Sequence, residues 1–411
     1  MTKVLFLSYN GLLEPILASQ GVPYLRELAK SGYRSVLLTY EKKKDLKKYG
    51  KEGIERMRNE LRSAGVEWDY MKYHKNPPLL STLFDLTLGV FHVFRIVRAK
   101  GIRIVHVRGI TPGMILIPLS RLLHVKILFD MRGLLAEEYV GGGIWKEGSL
   151  VFNLVKAAEK SLIKKSDAIT VLTYKHLELN RELDYLKNKN IPMNVIPCCV
   201  DMSKFFVKGN AAEALRKNLG LKEKFVLMYP GKIGTFYLIK EMVDFYKTLS
   251  KRLPDSVFVI VTVDDPALVL KIASSSGVEK DMIRIISGVG FEDMPLYTQM
   301  ADAGIFFINA YKKIGSSPIK MGEFLASGVP VIINPGIGDT EELVTKNRVG
   351  VVVRNFCAKD YELAINDLLN LKNENETLRY RCRDAANKHL SLEMGIEKYY
   401  KIYKALDEGT Y

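Results

Sequence analysis

The segment 316–339, SSPIKMGEFLASGVPVIINPGIGD, carries residue types that suit a diphosphate joined to a ribose. Ser317 is placed to cap a helix and Pro318 to occupy its first position, so unpaired N–H groups and the positive dipole end would point at an anion. Lys320 adds a mobile positive charge one turn in. Glu323, at i+3 on the same face, could accept hydrogen bonds from two vicinal hydroxyls. The segment therefore predicts a nucleotide-sugar site, and the alternative is an ordinary amphipathic helix with a solvated lysine and glutamate.

Short apolar runs rich in β-branched residues alternate with longer helical patterns along the whole chain. This alternation predicts an α/β fold with two Rossmann-like, doubly wound parallel sheets. The buried strands predicted in the first half span residues 4–8, 34–39, 102–107, 126–129, 168–173 and 195–196. Those predicted in the second half span residues 225–229, 257–263, 283–286, 304–308, 329–333 and 350–353.

The turn-rich segment 197–221 separates the two series of strands, and we place the domain junction there. The predicted domains are an N-terminal domain over 1–200 and a C-terminal domain over 201–390. A helical tail over 391–411 is expected to pack back on the N-terminal domain. Two such domains would place the carboxyl ends of their strands facing each other across a cleft.

A chain of 411 residues with 47% hydrophobic and 26% charged residues has an ordinary globular composition. Its four cysteines match neither a disulfide framework nor a zinc spacing, which favours a reducing, cytoplasmic compartment. The apolar run at the N-terminus is too short for a signal-peptide core and is predicted to be the first strand. The stretch 79–97 is interrupted by Asp85, His92 and Arg95, so we expect a globular helix there and not a membrane span.

The net charge of +15 is concentrated in the first half of the chain. Residues 1–200 contain 32 Lys and Arg against 19 Asp and Glu, whereas residues 201–411 contain 29 against 27. The densest cluster is EKKKDLKK at 41–48. Such clusters attract anionic lipid headgroups, phosphate-bearing acceptors or nucleic acid without distinguishing among them, and a solvated face is the ordinary alternative.

Three common catalytic motifs are missing from the sequence. No G-x-G-x-x-G follows the first strand, which argues against a nicotinamide or flavin enzyme. Neither a G-x-x-x-x-G-K-[ST] loop nor a G-x-S-x-G elbow is present, so NTP hydrolysis and serine-esterase chemistry lose their usual support.

Five motifs in order along the chain carry a family resemblance: SQGVPYLRELAKSGY, LTYEK, FDMRG, YPGKIGTFY and the segment 316–339. With them the chain resembles, nearly end to end, the GT-B glycosyltransferases of family 4. Within that family it is similar to a surface-polysaccharide subgroup that carries the FDMRG pattern. The resemblance implies a nucleotide-sugar donor held by the C-terminal domain and an acceptor held by the N-terminal domain. It also implies retention of anomeric configuration without a metal ion.

The resemblance also implies roles for individual residues. In the family, a basic residue after a glycine and a second one several positions later hold the phosphates. Lys232 matches the first, whereas the second has no clear match in IGTFYLIK, and Lys320 is the candidate to serve instead. Glu323 matches the family glutamate that binds the ribose. Fixed cations would stabilise the departing diphosphate electrostatically, and a plain surface lysine is the alternative for Lys232.

The expected site residues fall into three groups. The catalytic candidates are Asp130, Arg132, Lys232 and Lys320. The donor-binding candidates are Gly231, Ser316, Ser317, Glu323, Gly336 and Gly338. The acceptor-binding candidates are Gln20 and Gly21. No metal ligand is predicted.

One departure from the family concerns the donor sugar. Many members carry a first glutamate eight positions before the ribose-binding one, but this chain has Gly315 there. The carboxylate that contacts the sugar is therefore absent or supplied elsewhere. Gly336 and Gly338 would instead bring backbone N–H groups near the sugar or diphosphate, and a simple turn is the alternative for them.

Asp130 and Arg132 follow a predicted strand at the place where the family often has a histidine. Asp130 could orient or partly deprotonate the acceptor hydroxyl, and Arg132 could bind a phosphate or pair with Glu137 or Glu138. A purely structural Asp–Arg pair is the alternative. His106, at the end of another strand, is left without a role.

Together these features predict a cytoplasmic, metal-independent, retaining glycosyltransferase of surface-polysaccharide synthesis. Its donor would be a UDP- or GDP-sugar, with no cofactor, and its acceptor a glycan or a lipid-linked glycan at the inner face of the membrane. The basic N-terminal half would contact anionic lipid, and no nucleic acid is expected. The alternatives are a sugar-nucleotide epimerase of GT-B fold and a non-catalytic protein that binds nucleotide sugar or nucleic acid.

Overall fold

The structure is a computed structural model that describes residues 1–186, 190–205 and 210–411. The chain divides into two compact units. The first unit comprises Met1–Pro197 together with Gly395–Tyr411, and the second comprises Cys198–Met394. The chain therefore leaves the first unit once and returns to it with its last helix.

The first unit is built on a seven-stranded parallel sheet, counted over the described residues. Its strands are β1 Thr2–Ser8, β2 Tyr33–Glu41, β3 Val66–Lys72, β4 Ile104–Arg108, β5 Lys126–Asp130, β6 Ala168–Val171 and β7 Met193–Val195. The central strands are continuous apolar runs because helices cover both faces of the sheet. The sequence prediction missed β3, whose residues VEWDYMK alternate apolar and charged side chains because the strand lies at the sheet edge.

Helices cover both faces of this first sheet. They are α1 Pro15–Gln20, α2 Val22–Lys30, α3 Lys43–Ser63, α4 Pro78–Lys100, α5 Ile110–Gly113, α6 Leu116–Leu119, α7 Leu135–Gly141, α8 Leu150–Lys165, α9 Tyr174–Arg181 and, for the most part, α18 Leu392–Glu408. A short 3₁₀ helix spans Asp184–Leu186. Side-chain caps define two of these starts, since Ser149 accepts a hydrogen bond from the Phe152 N–H and Thr173 accepts one from the His176 N–H.

The second unit contains a six-stranded parallel sheet in its described residues. Its strands are β8 Phe225–Pro230, β9 Ser256–Val261, β10 Ile283–Ile286, β11 Ala303–Phe306, β12 Val331–Ile333 and β13 Gly350–Val352. Its helices are α10 Ala211–Asn218, α11 Ile239–Arg252, α12 Pro266–Ser276, α13 Met294–Gln299, α14 Ile319–Ala326, α15 Thr340–Asn347, α16 Ala358–Lys372 and α17 Glu376–Leu390, with 3₁₀ turns at Lys280–Met282 and Phe291–Asp293.

Both sheets share one strand order. The first runs β3-β2-β1-β4-β5-β6-β7 and the second runs β10-β9-β8-β11-β12-β13. In the first sheet the chain adds strands from β1 outward to β3, then crosses to β4 and adds the remaining strands towards the other edge. The order in which strands are added therefore reverses between β1 and β4, and likewise between β8 and β11. In doubly wound sheets ligands bind at such a reversal, beside the carboxyl ends of the strands. The predicted α/β fold with two doubly wound parallel sheets is confirmed.

The predicted globular helix over 79–97 is observed as part of α4. Within the described residues one helical stretch, Leu79–Lys100, is long and apolar enough to cross a membrane by length and composition alone. One side of the helix is packed into the first unit, where Val93, Ile96 and Val97 are buried among the residues of the core. The remaining side carries exposed apolar residues.

Candidate functional site

In the second unit, the loop after β8 meets the first turn of α14 at Gly231 and Lys320. Gly231 has φ of 144°, and a Cβ atom there would lie 2.8 Å from Lys320 Cε and 2.9 Å from its Nζ. A methyl group at this position would displace the end of the lysine side chain, and the positive φ also favours glycine. The Lys320 ammonium group is thereby held beside the carboxyl end of β8.

Tyr237 fixes the other side of the Lys320 ammonium group. Lys320 Nζ donates a hydrogen bond of 2.8 Å to the Tyr237 hydroxyl and lies 4.0 Å from the centroid of the Tyr237 ring. The aromatic face attracts the cation electrostatically. Sequence reasoning sought a second basic residue in this loop and overlooked the tyrosine. The aromatic residue within YPGKIGTFY was the available signal.

Lys232 has an exposed side chain on a loop whose backbone is tied down. Its carbonyl oxygen accepts a 2.6 Å hydrogen bond from the Tyr229 hydroxyl, and the next N–H, that of Ile233, donates to Asp264 Oδ2 at 2.6 Å. The loop therefore presents the lysine from a fixed position at the end of β8. Its role at the phosphates stays a prediction.

The predicted capping by Ser317 is wrong. Helix α14 begins at Ile319 with Pro318 as its N-cap residue, and no side chain caps it. The Ser317 Oγ instead accepts a 3.1 Å hydrogen bond from the backbone N–H of Cys198, at the start of the second unit. A half-buried backbone N–H needs a hydrogen-bond acceptor. The Cys198 N–H, distant in sequence, uses the Ser317 hydroxyl that local sequence reasoning had assigned to the start of the helix.

Ser316, Gly336 and Gly338 belong to one hydrogen-bonded loop system. The Lys313 carbonyl oxygen accepts from the Ser316 N–H at 3.1 Å and from the Gly338 N–H at 3.0 Å. Gly336 and Gly338 have positive φ, and a Cβ atom on Gly336 would approach Ala310 Cβ to 2.9 Å. In this structure the Gly338 N–H is engaged by the protein and not directed at a ligand, which favours the simple turn.

Glu323 lies one turn after Lys320 on α14, as the spacing predicts, and its side chain is buried. No described residue donates a hydrogen bond to its carboxylate. Burial raises the pKa of Glu323 to about 7, although the positive charge of Lys320 opposes the shift. A buried carboxyl group without donors costs free energy when ionised, and hydroxyl groups of a ligand would supply the donors.

In the first unit, the carboxyl ends of parallel strands bring Asp130 against two arginines. Asp130 is only 1% exposed, and its Oδ2 lies 3.3 Å from Arg108 Nη1 while its Oδ1 lies 3.6 Å from Arg132 Nη1. Thr170 donates a 3.0 Å hydrogen bond to Oδ1. Burial alone would raise the pKa of Asp130, but Arg132, His106 and Arg108 together hold it below its usual range. Asp130 is therefore ionised and a weak base.

His106 completes this buried cluster. Its Nδ1 is hydrogen-bonded to the Tyr403 hydroxyl of α18 at 2.8 Å, and its Nε2 lies 3.7 Å from Asp130 Oδ2. Burial lowers the pKa of His106, so the ring is neutral. Glu137, a predicted partner of Arg132, pairs with Lys156 at 2.8 Å. The geometry of the cluster favours the structural alternative for the Asp130–Arg132 pair.

Gln20 and Gly21 connect α1 to α2. The Gln20 side chain is buried and packs beside His106 and Arg108, around a gap that is too small for a water molecule. At Gly21 a Cβ atom would lie 2.5 Å from Leu17 Cδ1, so this glycine serves the packing of its own helix pair. Gln20 is thus near the Asp130 cluster, and its contact with an acceptor stays a prediction.

Glu41, at the end of β2, was not recognised from sequence. It is fully buried and its carboxylate accepts hydrogen bonds from the Leu12 N–H at 2.6 Å and the Leu13 N–H at 3.3 Å. A Cβ atom on Gly11 would lie 2.4 Å from Glu41 Oε2. The missing side chain at Gly11 therefore leaves room for this carboxylate, which shapes the loop after β1.

Metal coordination has no obvious protein site in the part of the chain that the structure describes. There, no group of three or more His, Cys, Asp or Glu side chains could hold a metal ion.

Two family models match the chain in adjacent segments. Residues 23–199 match the glycosyl transferase 4-like domain, and residues 211–389 match the glycosyl transferases group 1 model. The two matches together span most of the chain and follow its two sheets. No curated protein sequence matches the chain significantly.

Several solved structures share the fold over nearly the full length. A sucrose-phosphate synthase (tll1590) from Thermosynechococcus elongatus has a TM-score of 0.73 at 15% identity, with 100% of both chains covered. HepE (Alr3699) from Anabaena, solved with UDP and glucose, has a TM-score of 0.72 at 12% identity, covering 98% of this chain and 100% of HepE. WaaG, a glycosyltransferase involved in lipopolysaccharide biosynthesis, has a TM-score of 0.65 at 14% identity, covering 97% and 99%. At these identities the likeness concerns the fold.

The raised pKa of Glu323 predicts a specific pH dependence of stability. Between pH of about 4.5 and about 7 the native state binds the proton more tightly than the unfolded chain, so stability falls as pH rises through this window, by about 3 kcal/mol. Urea unfolding of the wild type and of Glu323→Gln at pH values on either side of the window measures the effect. The variant should lack this component, and parallel pH profiles would show that Glu323 titrates normally.

Asp130→Asn is expected to lower the melting temperature strongly. The amide keeps the hydrogen bond from Thr170 but leaves two buried guanidinium groups without their counter-charge, a loss of about 3–5 kcal/mol. Asp384→Asn, in a solvent-exposed i,i+4 pair with Lys388, is the control and should cost less than about 1 kcal/mol. If Asp130→Asn is inactive at normal stability, Asp130 acts in the chemistry and not as a buried counter-ion.

Proposed function

The chain belongs to the GT-B glycosyltransferases of the family 4-like kind, which use nucleotide-sugar donors, and on this premise we propose a more specific activity. It is a retaining, metal-independent enzyme that transfers a sugar from a nucleotide sugar to a glycan or lipid-linked acceptor in surface-polysaccharide synthesis. The observation that carries the proposal is the pair Lys320 and Glu323 on α14, beside the tight backbone at Gly231.

Lys320 would act on the diphosphate of the donor. As the bond from the anomeric carbon to the diphosphate oxygen breaks, the electron pair leaves with the diphosphate and negative charge grows there. A cation already fixed by Tyr237 needs no reorganisation to stabilise this charge. Lys232, on the loop after β8, would add a second positive charge from the exposed side.

Glu323 would bind the ribose. Its carboxylate, buried without a donor from any described residue, could accept hydrogen bonds from the two vicinal hydroxyls and thereby become stable in its ionised form. The position one helical turn from Lys320 matches the order of ribose and diphosphate along a nucleotide sugar. Binding and charge stabilisation would then come from one helix face.

The first unit would hold the acceptor. The low pKa of Asp130 makes it a poor proton acceptor, so we assign it the positioning of Arg108 and Arg132 at the ends of β4 and β5. Gln20 borders the same cluster and is the candidate to contact an acceptor hydroxyl.

The donor is proposed to be a UDP- or GDP-sugar. HepE was solved with UDP and with UDP-glucose, which favours uridine for a shared donor domain. WaaG acts in lipopolysaccharide biosynthesis, which supports an acceptor of the surface-glycan class. A cytoplasmic location at the inner face of the membrane fits both such donors and a lipid-linked acceptor.

Donor binding predicts a thermal shift that depends on Glu323. A screen of UDP-, GDP-, CMP- and dTDP-sugars should raise the melting temperature for one base, since a ligand at a hundredfold excess over its Kd stabilises by about 2.7 kcal/mol. Glu323→Ala should abolish the shift while the fold persists, whereas Glu342→Ala, on the exposed side of α15, should retain it. An undiminished shift in Glu323→Ala would remove this residue from the site.

Gly231→Ala is expected to lower the rate of sugar transfer, because its methyl group collides with Lys320. Lys320→Ala should reduce kcat by about 10²-fold, with a smaller change in donor affinity, and Lys232→Ala should act in the same direction. Gly234→Ala is the control, since Gly234 has φ of 80° but open space around its Cβ position. Equal losses at the two glycines would attribute the effect to backbone strain.

A further inference from the structure

Helix α4 exposes a row of large apolar side chains. Its exposed large apolar side chains range from 37% to 71% in accessibility and recur at intervals of three or four residues, which places them on one side of the helix. This α4 apolar face consists of Leu79, Leu80, Leu83, Phe84, Leu88, Phe91 and Phe94. A contiguous apolar patch of this kind marks an interaction surface in soluble proteins.

The other side of α4 is firmly anchored in the first unit. Asp85 is 1% exposed and accepts hydrogen bonds from the Tyr9 hydroxyl at 3.1 Å and from the His74 N–H at 3.0 Å. At Gly89 a Cβ atom would lie 2.4 Å from the Tyr40 hydroxyl, so the helix packs close against its neighbours. These contacts hold α4 on the surface of the unit, and crossing a bilayer would break them.

The exposed charges that α4 carries beside its apolar face are positive, whereas Asp69 and Glu67 of β3 pair with His92 and Lys100 of the helix. The helix contains one acidic residue, the buried Asp85, whereas Arg95 and Arg98 are exposed at its C-terminal end and Lys75 is exposed just before its start. The Arg98 guanidinium lies 5.5 Å from the centroid of the Phe94 ring, at the border of the apolar face. This arrangement complements anionic headgroups above an acyl layer.

We propose that the α4 apolar face docks on an anionic lipid bilayer, with α4 lying in the plane of the interface and its apolar side chains at the acyl boundary. Docking would bring the enzyme to a lipid-linked acceptor, and in this respect it rests on the proposed function. A second copy of the chain is the less suitable occupant. It would bring Arg95 and Arg98 against a face that offers no carboxylate of its own helix.

Vesicle co-sedimentation of the full-length chain tests the docking without donor or acceptor, so its outcome is independent of transfer activity. Binding should be stronger to phosphatidylcholine vesicles that contain phosphatidylglycerol than to phosphatidylcholine alone. High salt should weaken the binding but leave an apolar component. Leu80→Ser, Phe84→Ser and Phe91→Ser combined should reduce partitioning by about tenfold or more.

The matched control replaces equally exposed side chains of the second unit, Leu268→Ser, Leu363→Ser and Tyr380→Ser, and should bind as the wild type does. Circular-dichroism melting verifies folding, and Phe91→Trp should add a blue-shifted emission component on vesicle addition. Equal binding by the α4 triple variant and wild type would overturn the proposal. A wild-type dimer in light scattering that the triple variant loses, without vesicle binding by either, would assign the face to a second copy.

Discussion

The candidate donor site depends on the close approach of Lys320 to the backbone at Gly231. The absence of a side chain at this one position lets the lysine lie between the end of β8 and the Tyr237 ring. A cation held in this way is already in place when negative charge develops nearby. The parallel strands matter to function because they fix the two loops that make this approach possible.

The two units bury carboxylates in opposite electrostatic states. Asp130 is surrounded by Arg108, Arg132 and Thr170, so it stays ionised and needs nothing further. Glu323 has Lys320 for a neighbour but no hydrogen-bond donor among the described residues, so its pKa rises. The first arrangement is complete and is typical of a structural element, whereas the second would be completed by a ligand that brings hydroxyl groups.

The sequence predicted features that depend on neighbouring residues in the chain, and it missed contacts between residues far apart in the chain. The buried strands follow from continuous apolar runs, and the Lys320–Glu323 relation follows from helical spacing. Ser317 serves an N–H group 119 residues away in the chain and therefore does not cap its own helix. The contacts of Tyr237 with Lys320 and of Glu41 with the loop after β1 likewise join segments whose proximity only the fold creates.

The proposed activity requires α14 to bind the ribose and the diphosphate of a nucleotide sugar through Glu323 and Lys320. The most direct measurement is a crystal structure of the protein with a bound UDP-sugar or with the nucleotide that stabilises it most. Both ribose hydroxyls should lie within hydrogen-bonding distance of the Glu323 carboxylate, and a diphosphate oxygen should contact Lys320 Nζ. A nucleotide bound elsewhere, with Glu323 still lacking hydrogen-bond donors, would contradict it.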